Sequence, residues 1–575
     1  MDRVLFAPRA LPALRPDVAE DPIPYDAWVR KRQLDRLKNR LPRQTRVLHV
    51  VMIIDEAPPA ETIESIQSLE TQTSTRWQLS VVFQEPCRKD VTSLLALSNV
   101  SEERYELVER AAGTAKGEML AAGLAAAQGD DVALLFPGDV WPADAVTLLS
   151  VSLPANGVAY ADEDVLGADA RHLKPRLKPA YSPEFLLHSD YIGRPLAMSA
   201  GVVERLPAAE AVPSDALEHD LALRACEVAS AVLHIPEVLC HRRIARAHMA
   251  VDTAEGVRHV VLALARQRSS AEVSPGRATN TFRVRRTVSS LRTVNIIIPF
   301  RDEPRFLRAC VDSVDRTTVG IRPAYILVDN GSVQPETTTL LERLGARTDV
   351  QIVREDTPFN WASLNNAAAD RADGDILVFL NNDIEALSVG WLDALCAQAE
   401  RIDVGAVGGR LLYPDGRVQH CGVVIGLGGA AGHLLVGLDG SVAGYLALAV
   451  TTRECSGITG ACMATRRETF ENHGRFDESL GIDLNDIDYC LRVQRAGLRV
   501  LYEPAAELIH HESPSRGTAG DVRDIVHFVD RWKSDILAGD PFLNPHLTRM
   551  DSSCALRDPA EGDWWQRWYQ GLSDM

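Results

Sequence analysis

Three short apolar runs decide the fold: VNIIIPF (residues 294–300), AYILVDN (324–330) and DILVFL (375–380). Each run is rich in β-branched and aliphatic residues, and amphipathic segments such as PRFLRACVDSV (304–314) separate them. Continuous apolar runs are typical of parallel strands that are buried on both faces, with helices as crossovers. The sequence therefore predicts an α/β domain built on a Rossmann-like sheet.

The same rhythm occurs earlier in the chain, in VLHVVMII (47–54), QLSVVF (78–83) and DVALLF (131–136). An apolar run followed by a longer amphipathic segment recurs there as it does in the later copy. An internal duplication of this kind fixes the number of domains. We therefore predict two tandem α/β domains.

Two landmarks align the copies. Asp139 in LLFPGDV matches Asp383 in VFLNNDI, a separation of 244 (383 minus 139). Arg224 in LEHDLALR matches Arg492 in NDIDYCLR, a separation of 268 (492 minus 224). The second copy is therefore longer between the landmarks by 268 minus 244, which is 24. We expect this extra length in the glycine-rich segment 426–432.

The chain of 575 residues exceeds what one hydrophobic core usually serves. Apolar residues make up 46% and charged residues 24%, as in a soluble enzyme, and the net charge of -18 argues against a nucleic-acid partner. We predict a helical N-terminal extension (1–44), a first α/β domain (45–250), a linker (251–292), a second α/β domain (293–520) and a helical C-terminal tail (521–575).

Scattered cysteines without a C-x-x-C pair and an N-terminus without a secretory signal favour a cytoplasmic location. The segment 25–46 predicts an amphipathic helix rich in Arg and Lys, and the chain ends in a Trp-rich stretch, 563–572. For both segments, packing onto a domain competes with peripheral contact to the cytoplasmic face of the inner membrane. The glycine-dense segment 421–438 is interpreted as a loop with a short strand, not a membrane span.

Polar residues follow the three apolar runs of the second copy, where open α/β sheets bind their ligands. Phe300 and Arg301 follow the first run, and Asp329 ends the second. A carboxylate at Asp329 can accept the imide N–H of uracil or thymine. Asp383, after the third run, offers oxygen to Mg²⁺ or Mn²⁺. For Asp329 and Asp383, a turn or a helix cap is the alternative role.

The segment NDIDYCLR (485–492) carries two carboxylates two residues apart. On a helix, Asp488 lies four residues before Arg492, so these two side chains can pair. Asp486 is then free to act as a general base towards an incoming hydroxyl group.

Further along, LIHHESPSRG (508–517) supplies two adjacent imidazoles and a guanidinium group. Either His510 or His511 can complete a metal shell, and Arg516 can balance the charge of a diphosphate. A purely structural role for the histidines remains open at this point.

The order of the motifs resembles bacterial family 2 glycosyltransferases of the GT-A fold, in particular tandem-domain members of the O-antigen biosynthesis and rhamnosyltransferase-like groups. The resemblance covers nearly all of 294–517. It rests on IIIPF, VDNGS, LNNAAADRADGDILVFLNND, TGACMATRR, FDES, NDIDYCLR and AELIHHESPSRG. It implies an α/β fold of two tandem GT-A domains with helical extensions.

The resemblance also implies roles for individual residues. Asp486 is expected to be the catalytic base, and Asp383 and His510 are expected to bind Mn²⁺ or Mg²⁺. Asn381 stands at the first position of the D-x-D-type motif, which shifts metal binding towards Asp383 and His510. The residues expected to bind the nucleotide sugar are Pro299, Phe300, Arg301, Asp329, Asn366, Asn382, Gly460 and Arg516.

The implied reaction is an inverting, metal-dependent transfer of a sugar from a dTDP- or UDP-sugar, with dTDP-rhamnose as one option. The expected acceptor is a glycan or a lipid-linked glycan in cell-surface polysaccharide or O-antigen synthesis. A nucleotide-sugar-binding scaffold without turnover is the main alternative. A nucleotidyltransferase is disfavoured, because PFRDEP lacks a glycine-rich phosphate loop.

The first copy retains some of the acidic residues of the second. Asp139 and Glu218 stand at matching positions, but Phe83 replaces the carboxylate of Asp329. An apolar ring cannot accept a hydrogen bond from the base of a nucleotide. We therefore expect a degenerate first domain, with a chain active in both domains as the alternative.

Overall fold

The structure is a computed structural model that describes residues 24–39, 43–127, 130–208, 216–243, 253–254, 256–289, 292–512, 522–558, 561, 565 and 568–570. The chain divides into two compact units. The first unit covers Glu20–Ser269 and Val273–Phe282, and the second covers Ser270–Glu272 and Arg283–Met575.

The first unit is built on one mixed sheet. Its strands are β1 (Leu48–Ile54), β2 (Trp77–Gln84), β3 (Tyr105–Arg110), β4 (Asp131–Leu134), β5 (Asp139–Val140), β6 (Val158–Leu166), β7 (His172–Arg176), β8 (Leu196–Met198) and β9 (Val232–Arg242). Its helices are α1 (Tyr25–Lys38), α2 (Thr62–Glu70), α3 (Arg88–Ser98), α4 (Lys116–Ala126), α5 (Ala145–Ser152), α6 (Pro183–His188), α7 (Ala200–Arg205), α8 (Leu217–Val228) and α9 (Arg258–Arg266). The strand order is β3-β2-β1-β4-β8-β6-β9-β5, with β7 beside β6. A two-stranded sheet follows, formed by β10 (Ala271–Pro275) and β11 (Phe282–Arg286).

The second unit repeats this sheet. Its strands are β12 (Val294–Phe300), β13 (Ala324–Asp329), β14 (Val350–Arg354), β15 (Ile376–Leu380), β16 (Ile384–Ala386), β17 (Val404–Leu412), β18 (Val418–His420), β19 (Val423–Ile425), β20 (Ala431–His433), β21 (Arg453–Glu454), β22 (Cys462–Arg466) and β23 (Arg499–His510). Its helices are α10 (Pro304–Thr317), α11 (Pro335–Gly345), α12 (Trp361–Ala369), α13 (Trp391–Ala399), α14 (Arg467–Asn472), α15 (Asn485–Arg495) and α16 (Val522–Ala538).

The two main sheets have the same strand order, which reads β14-β13-β12-β15-β22-β17-β23-β16 in the second unit. The four strands β12 to β15 are parallel to one another, and every residue of β12 and β15 is buried, as the continuous apolar runs predicted. The antiparallel β22 lies directly beside β15. The expected fold class, two tandem α/β domains of the GT-A type, is confirmed.

The extra length of the second unit lies where the sequence placed it. The offset between matching strands is 246 at the start of β6 and β17 (404 minus 158) and 266 at the start of β8 and β22 (462 minus 196). The offset therefore increases by 20 (266 minus 246) between β17 and β22. In this stretch the second unit has the strands β18 to β21. The glycine-rich segment 426–432 is part of this insertion.

Helix α1 packs onto the first unit through polar contacts. The hydroxyl of Tyr25 donates to Asp164 at 2.8 Å, and Arg36 pairs with the buried Asp144 at 2.6 Å. Leu34 and Leu37 are 58% and 41% exposed. The expected packing of this helix onto the domain is therefore present, and arginines that pair with Asp144 and Glu237 contribute to it.

The C-terminal tail belongs to the core of the second unit. Trp565 is buried in a cluster with α16, and its indole N–H donates to the carbonyl of Gly429 at 2.8 Å. Trp564 lies outside the described residues. Packing therefore accounts for Trp565, which is no part of a membrane-facing surface. None of the helices in the described part of the chain is both long and apolar enough to cross a bilayer.

The segment 251–292, expected to be a linker, contains helix α9. His259 of this helix is buried and lies 2.9 Å from His219 of α8 through their ring nitrogens. Both imidazoles also contact the ring of Phe282. This part of the segment thus packs onto the first unit.

Helices α15 and α16 are joined by one buried carboxylate. Asp488 accepts hydrogen bonds from Arg492 at 2.8 Å, from Arg531 at 2.8 Å and from the indole of Trp532 at 2.9 Å. The i,i+4 pair expected from the sequence is therefore present, and the tail adds two further donors. A fully buried acid needs such partners, because burial otherwise strongly disfavours its charge.

We expect Asp488→Asn to destabilise the second unit by about 3 to 5 kcal/mol, because it leaves two guanidinium groups without their shared negative partner. The measurement is urea unfolding followed by tryptophan fluorescence. Asp535→Asn is the matched control, since Asp535 pairs with Arg495 between the same two helices at the surface. That variant should change stability by less than about 1 kcal/mol. Equal effects of the two substitutions would contradict the prediction.

Candidate active site

The first strand end does not present the side chains that the sequence suggested. Pro299 and Phe300 are buried in β12, and Phe300 belongs to the hydrophobic core with 4% of its surface exposed. The Phe300 side chain points into the core, and contact of this residue with a nucleotide stays a prediction. Its carbonyl accepts the N–H of Asn330. Arg301, the next residue, is exposed and is available to a ligand at the sheet edge.

Asp329 ends β13 beside the end of β12 and is buried. One carboxylate oxygen accepts the N–H of Ser332 at 2.8 Å, and the other pairs with Arg354 at 2.6 Å. Arg354 ends the neighbouring strand β14, where it lies opposite Asp329, and its side chain is 46% exposed. A base that bonds to Asp329 would therefore meet a carboxylate already oriented by the loop and by a movable guanidinium group.

The third strand end carries Asn381, Asn382 and Asp383. The amide oxygen of Asn381 accepts a hydrogen bond from the indole N–H of Trp361 at 3.2 Å. Asn382 is partly exposed and Asp383 is buried. Asn381 is thus engaged by the protein, which leaves Asp383 as the acidic group of this motif.

Asp383 faces His510, the last residue of β23. The Nε2 atom of His510 lies 3.3 Å from the Asp383 carboxylate, and its Nδ1 atom lies 2.7 Å from the Gln419 side-chain oxygen. An amide oxygen only accepts, so Nδ1 donates to Gln419 and Nε2 is turned towards Asp383. An Nε2 without a proton can bind a metal ion together with a carboxylate oxygen. The pair therefore fits a divalent metal ion with one oxygen and one nitrogen ligand.

The adjacent His511 is used differently. Its Nε2 atom lies 2.7 Å from Glu385, and its ring packs near Phe306. The structure thus separates the two imidazoles that the sequence could not distinguish. Arg516 lies outside the described residues.

Asp486 occupies the first turn of α15 and remains partly exposed. Its carboxylate accepts the N–H of Gly460 at 2.7 Å and its neighbour's N–H, that of Ile487, at 2.8 Å. Burial raises the pKa of Asp486 to about 6, the nearby Asp483 adds to the rise, and the two N–H groups oppose it. A carboxylate with this pKa is a suitable general base near neutral pH.

Gly460 brings the strand ends and α15 together. A side chain at this position would collide with the Trp361 ring, 2.5 Å from an added Cβ. The next residue, Ala461, accepts the N–H of Asn381 at 3.0 Å. The loop before β22 therefore connects the strand end that carries Asp383 to Asp486, and it requires glycine for this purpose.

Asn366 has a supporting role that differs from the expected nucleotide contact. Its side-chain N–H groups donate to the carbonyl of Phe476 and to Glu478, and its oxygen accepts the N–H of Phe476. Asn366 is buried. With both ends of its amide engaged by the protein, Asn366 positions the loop of the FDES motif.

Three further residues of the site were not singled out in the sequence. Arg354 orients Asp329, Gln419 fixes the tautomer of His510, and Trp361 holds Asn381 and covers Gly460. The contacts of Gln419 and Trp361 join distant parts of the sequence, and neither belongs to a charged motif. Only Arg354 gave a signal, because it ends a strand that the βαβ rhythm places beside β13.

Comparison with known sequences agrees with this arrangement. The profile of "Glycosyl transferase family 2" matches residues 295–474. The O-antigen biosynthesis protein RfbC of Myxococcus xanthus is 34% identical over 97% of this chain and 45% of its own length. The uncharacterized protein y4gI of Sinorhizobium fredii is 32% identical over 93% of this chain and 62% of its own length. The chain thus spans about half the length of these two relatives.

A third relative matches a shorter stretch. The N-acetylglucosaminyl-diphospho-decaprenol L-rhamnosyltransferase of Mycobacterium tuberculosis is 30% identical over 104 residues, which are 16% of this chain and 34% of that protein. The resemblance expected from the motifs is confirmed by the profile match. Residues 295–474 of this chain are therefore similar to glycosyl transferase family 2.

Proposed function

We propose that the second unit transfers a sugar from a nucleoside diphosphate carrier to a hydroxyl group of a glycan, with inversion and with a divalent cation. The observation that carries the proposal is Asp486, a carboxylate with a pKa of about 6 at the start of α15. It is connected through Gly460 and the loop before β22 to the strand end that carries Asp383.

The proposed chemistry is a single displacement. Asp486 accepts the proton of the acceptor hydroxyl as its oxygen attacks the anomeric carbon, and the bond from that carbon to the diphosphate oxygen breaks. Attack from the face opposite the leaving group inverts the anomeric centre. Asp383 and His510 hold the cation, which neutralises the negative charge of the departing diphosphate when bound. One imidazole in the ligand set favours Mn²⁺ over Mg²⁺.

The donor we propose is a dTDP- or UDP-sugar. Asp329 supports this choice, because a carboxylate complements the imide N–H that uracil and thymine share and that cytosine and adenine lack. A relative named as an L-rhamnosyltransferase makes dTDP-rhamnose the first donor to test. The name of RfbC suggests a glycan or lipid-linked glycan of O-antigen synthesis as the acceptor. We propose that the reaction takes place in the cytoplasm or at the cytoplasmic face of the inner membrane.

We expect Asp486→Asn to lower kcat roughly 10²- to 10⁴-fold, because an amide cannot accept the acceptor proton. The affinity for the nucleotide sugar should stay within about twofold, since the Gly460 N–H still finds an oxygen acceptor. The measurement is transfer from radiolabelled donor under saturating conditions. Asp483→Asn is the matched control, a neighbouring acid that should keep kcat. Wild-type turnover in Asp486→Asn would exclude Asp486 as the base.

The activity should rise with pH through about 6, because only the ionised form of Asp486 accepts a proton. In Asp483→Asn the rise in activity should occur at lower pH. The charge of Asp483 contributes to the raised pKa of Asp486, and this variant lacks it. The measurement is the pH dependence of kcat/KM. If the residual activity of Asp486→Asn still rose with pH through about 6, the ionisation would belong to another group.

The same pKa predicts an effect on stability. The pKa of Asp486 is higher in the folded chain than the unfolded value of about 3.9, so stability present below about pH 4 is lost as the pH rises through about 6. Asp486→Asn should therefore melt at a higher temperature than wild type at pH 7.5 and at the same temperature at pH 4. Melting curves at the two pH values test this, and an equal shift at both would contradict it.

We expect His510→Ala to weaken Mn²⁺ binding at least tenfold, because it removes the nitrogen ligand that faces Asp383. His511→Ala is the matched control, since His511 pairs with Glu385, and it should bind Mn²⁺ as wild type does. The measurement is the Mn²⁺ signal in electron paramagnetic resonance titrations with UDP present. Equal loss in both variants would refute the separation of roles between the two imidazoles.

A further inference from the structure

The first unit contains a counterpart of every strand end that forms the site in the second unit. The sheets fix the register, because Ile54 pairs with Phe83 in the first unit as Phe300 pairs with Asp329 in the second. The offset is 246 for both partners, 300 minus 54 and 329 minus 83. Phe83 is buried in the core of the first unit. In the first unit, the position that matches Asp329 therefore holds a buried apolar ring, which cannot accept a hydrogen bond from a pyrimidine.

The first unit also has an acid at the position of the base. Glu218 is the second residue of α8, as Asp486 is the second residue of α15. Sheet pairing makes Gly138 the counterpart of Asp383, so the alignment of Asp139 with Asp383 expected from the sequence is wrong by one residue. Asp139 opens β5 directly after this position. The first unit thus keeps a carboxylate at the position of the proposed base and another directly after the position of the proposed cation ligand.

Arg194 lies between these two carboxylates. Its Nη1 atom donates to Asp139 at 2.9 Å, and its Nε and Nη2 atoms donate to Glu218 at 2.8 and 2.5 Å. The guanidinium group also covers the Phe136 ring at 3.8 Å. A bidentate contact to one acid and a third hydrogen bond to another fix the group firmly.

The second unit has a much smaller side chain at the matching position. Helix α7 begins at Ala200 and helix α14 begins at Arg467, so matching residues here differ in number by 267 (467 minus 200). The same difference makes Ala461 the counterpart of Arg194. Glycine precedes both residues, at 193 and 460. A methyl group at Ala461 is too short to bridge two acids as the guanidinium group of Arg194 does.

We propose that Arg194 is a tethered cation that takes the place of the divalent ion in the first unit, so that the chain has one donor site. The inference rests on the proposed function of the second unit. A divalent ion with a diphosphate does not fit the first unit, because Asp139 already pairs with the charge of Arg194. The Arg194 side chain is 13% exposed and always protonated, so neither solvent nor pH releases it.

The first test is the number of Mn²⁺ ions that the full chain binds with UDP present. We expect one equivalent for wild type, one for Asp139→Asn and none for Asp383→Asn. A second equivalent in wild type that Asp139→Asn removes would overturn the inference and leave the proposed function intact. These variants keep Arg194 and its bond to Glu218, so they test the idea without opening the buried cluster.

The second test is Arg194→Ala, which gives the first unit the residue found at the matching position of the second. We expect this variant to gain one Mn²⁺ equivalent, and Asp139→Asn in the same chain to abolish the gain. Arg176→Ala is the matched control, because Arg176 pairs with Glu163 in the same unit instead of with Asp139 or Glu218. A folded Arg194→Ala chain without the additional ion would overturn the inference.

The two tests also separate the inference from the proposed function. If wild type binds no Mn²⁺ with UDP, the metal-dependent mechanism of the second unit fails. The Arg194→Ala chain then still decides the inference, because a gain of one equivalent supports it and no gain refutes it. Circular dichroism and melting curves establish that each variant is folded.

Discussion

The hydrogen bond from the Gly460 N–H to Asp486 is the contact on which the site depends. It ties the loop before β22 to the first turn of α15, and the same loop accepts the N–H of Asn381 through Ala461. The bond exists only because Trp361 packs directly against the bare Cα of Gly460. One glycine therefore lets a strand end, an aromatic ring and a helix start approach one another. Without this approach the loop before β22 could not connect the strand end that carries Asp383 to Asp486 in α15.

Part of this arrangement could be predicted from the sequence, and the reasons for success and failure are physical. Runs that are apolar throughout predicted β12, β13 and β15, and the rule that ligands lie beyond strand ends pointed to Asp329 and Asp383. The same rule did not show that the Phe300 side chain lies in the core, because a strand buried on both faces has no alternation that tells an inward residue from an outward one. The sequence did not show that the amide of Asn366 supports a loop, because its partners Phe476 and Glu478 are far away in the sequence.

The two units show two ways to keep buried acids in one fold. In the first unit each acid of β6 has a cationic or hydrogen-bonding partner: Asp162 has His234, Glu163 has Arg176, and Asp164 has His172, His241 and Tyr25. The group Asp164, His172 and His241 meets the spacing of metal ligands, but the hydrogen bonds within it already satisfy the carboxylate. Arg194 extends this pattern to Asp139 and Glu218. These partners offset part of the cost of burial, although burial still raises the pKa of Asp139.

In the second unit, two acids of helix α15 have different partners and different roles. Asp488 receives three donors, two of them from α16, and it anchors α15 to the tail. Asp486, two residues earlier, accepts from backbone N–H groups, so its charge stays costly and its pKa stays near 6. A base must keep an affinity for the proton, and a cationic partner would abolish it. The helix can present such an acid only because the fully paired Asp488 fixes its position, which gives the C-terminal tail a part in holding the proposed base in place.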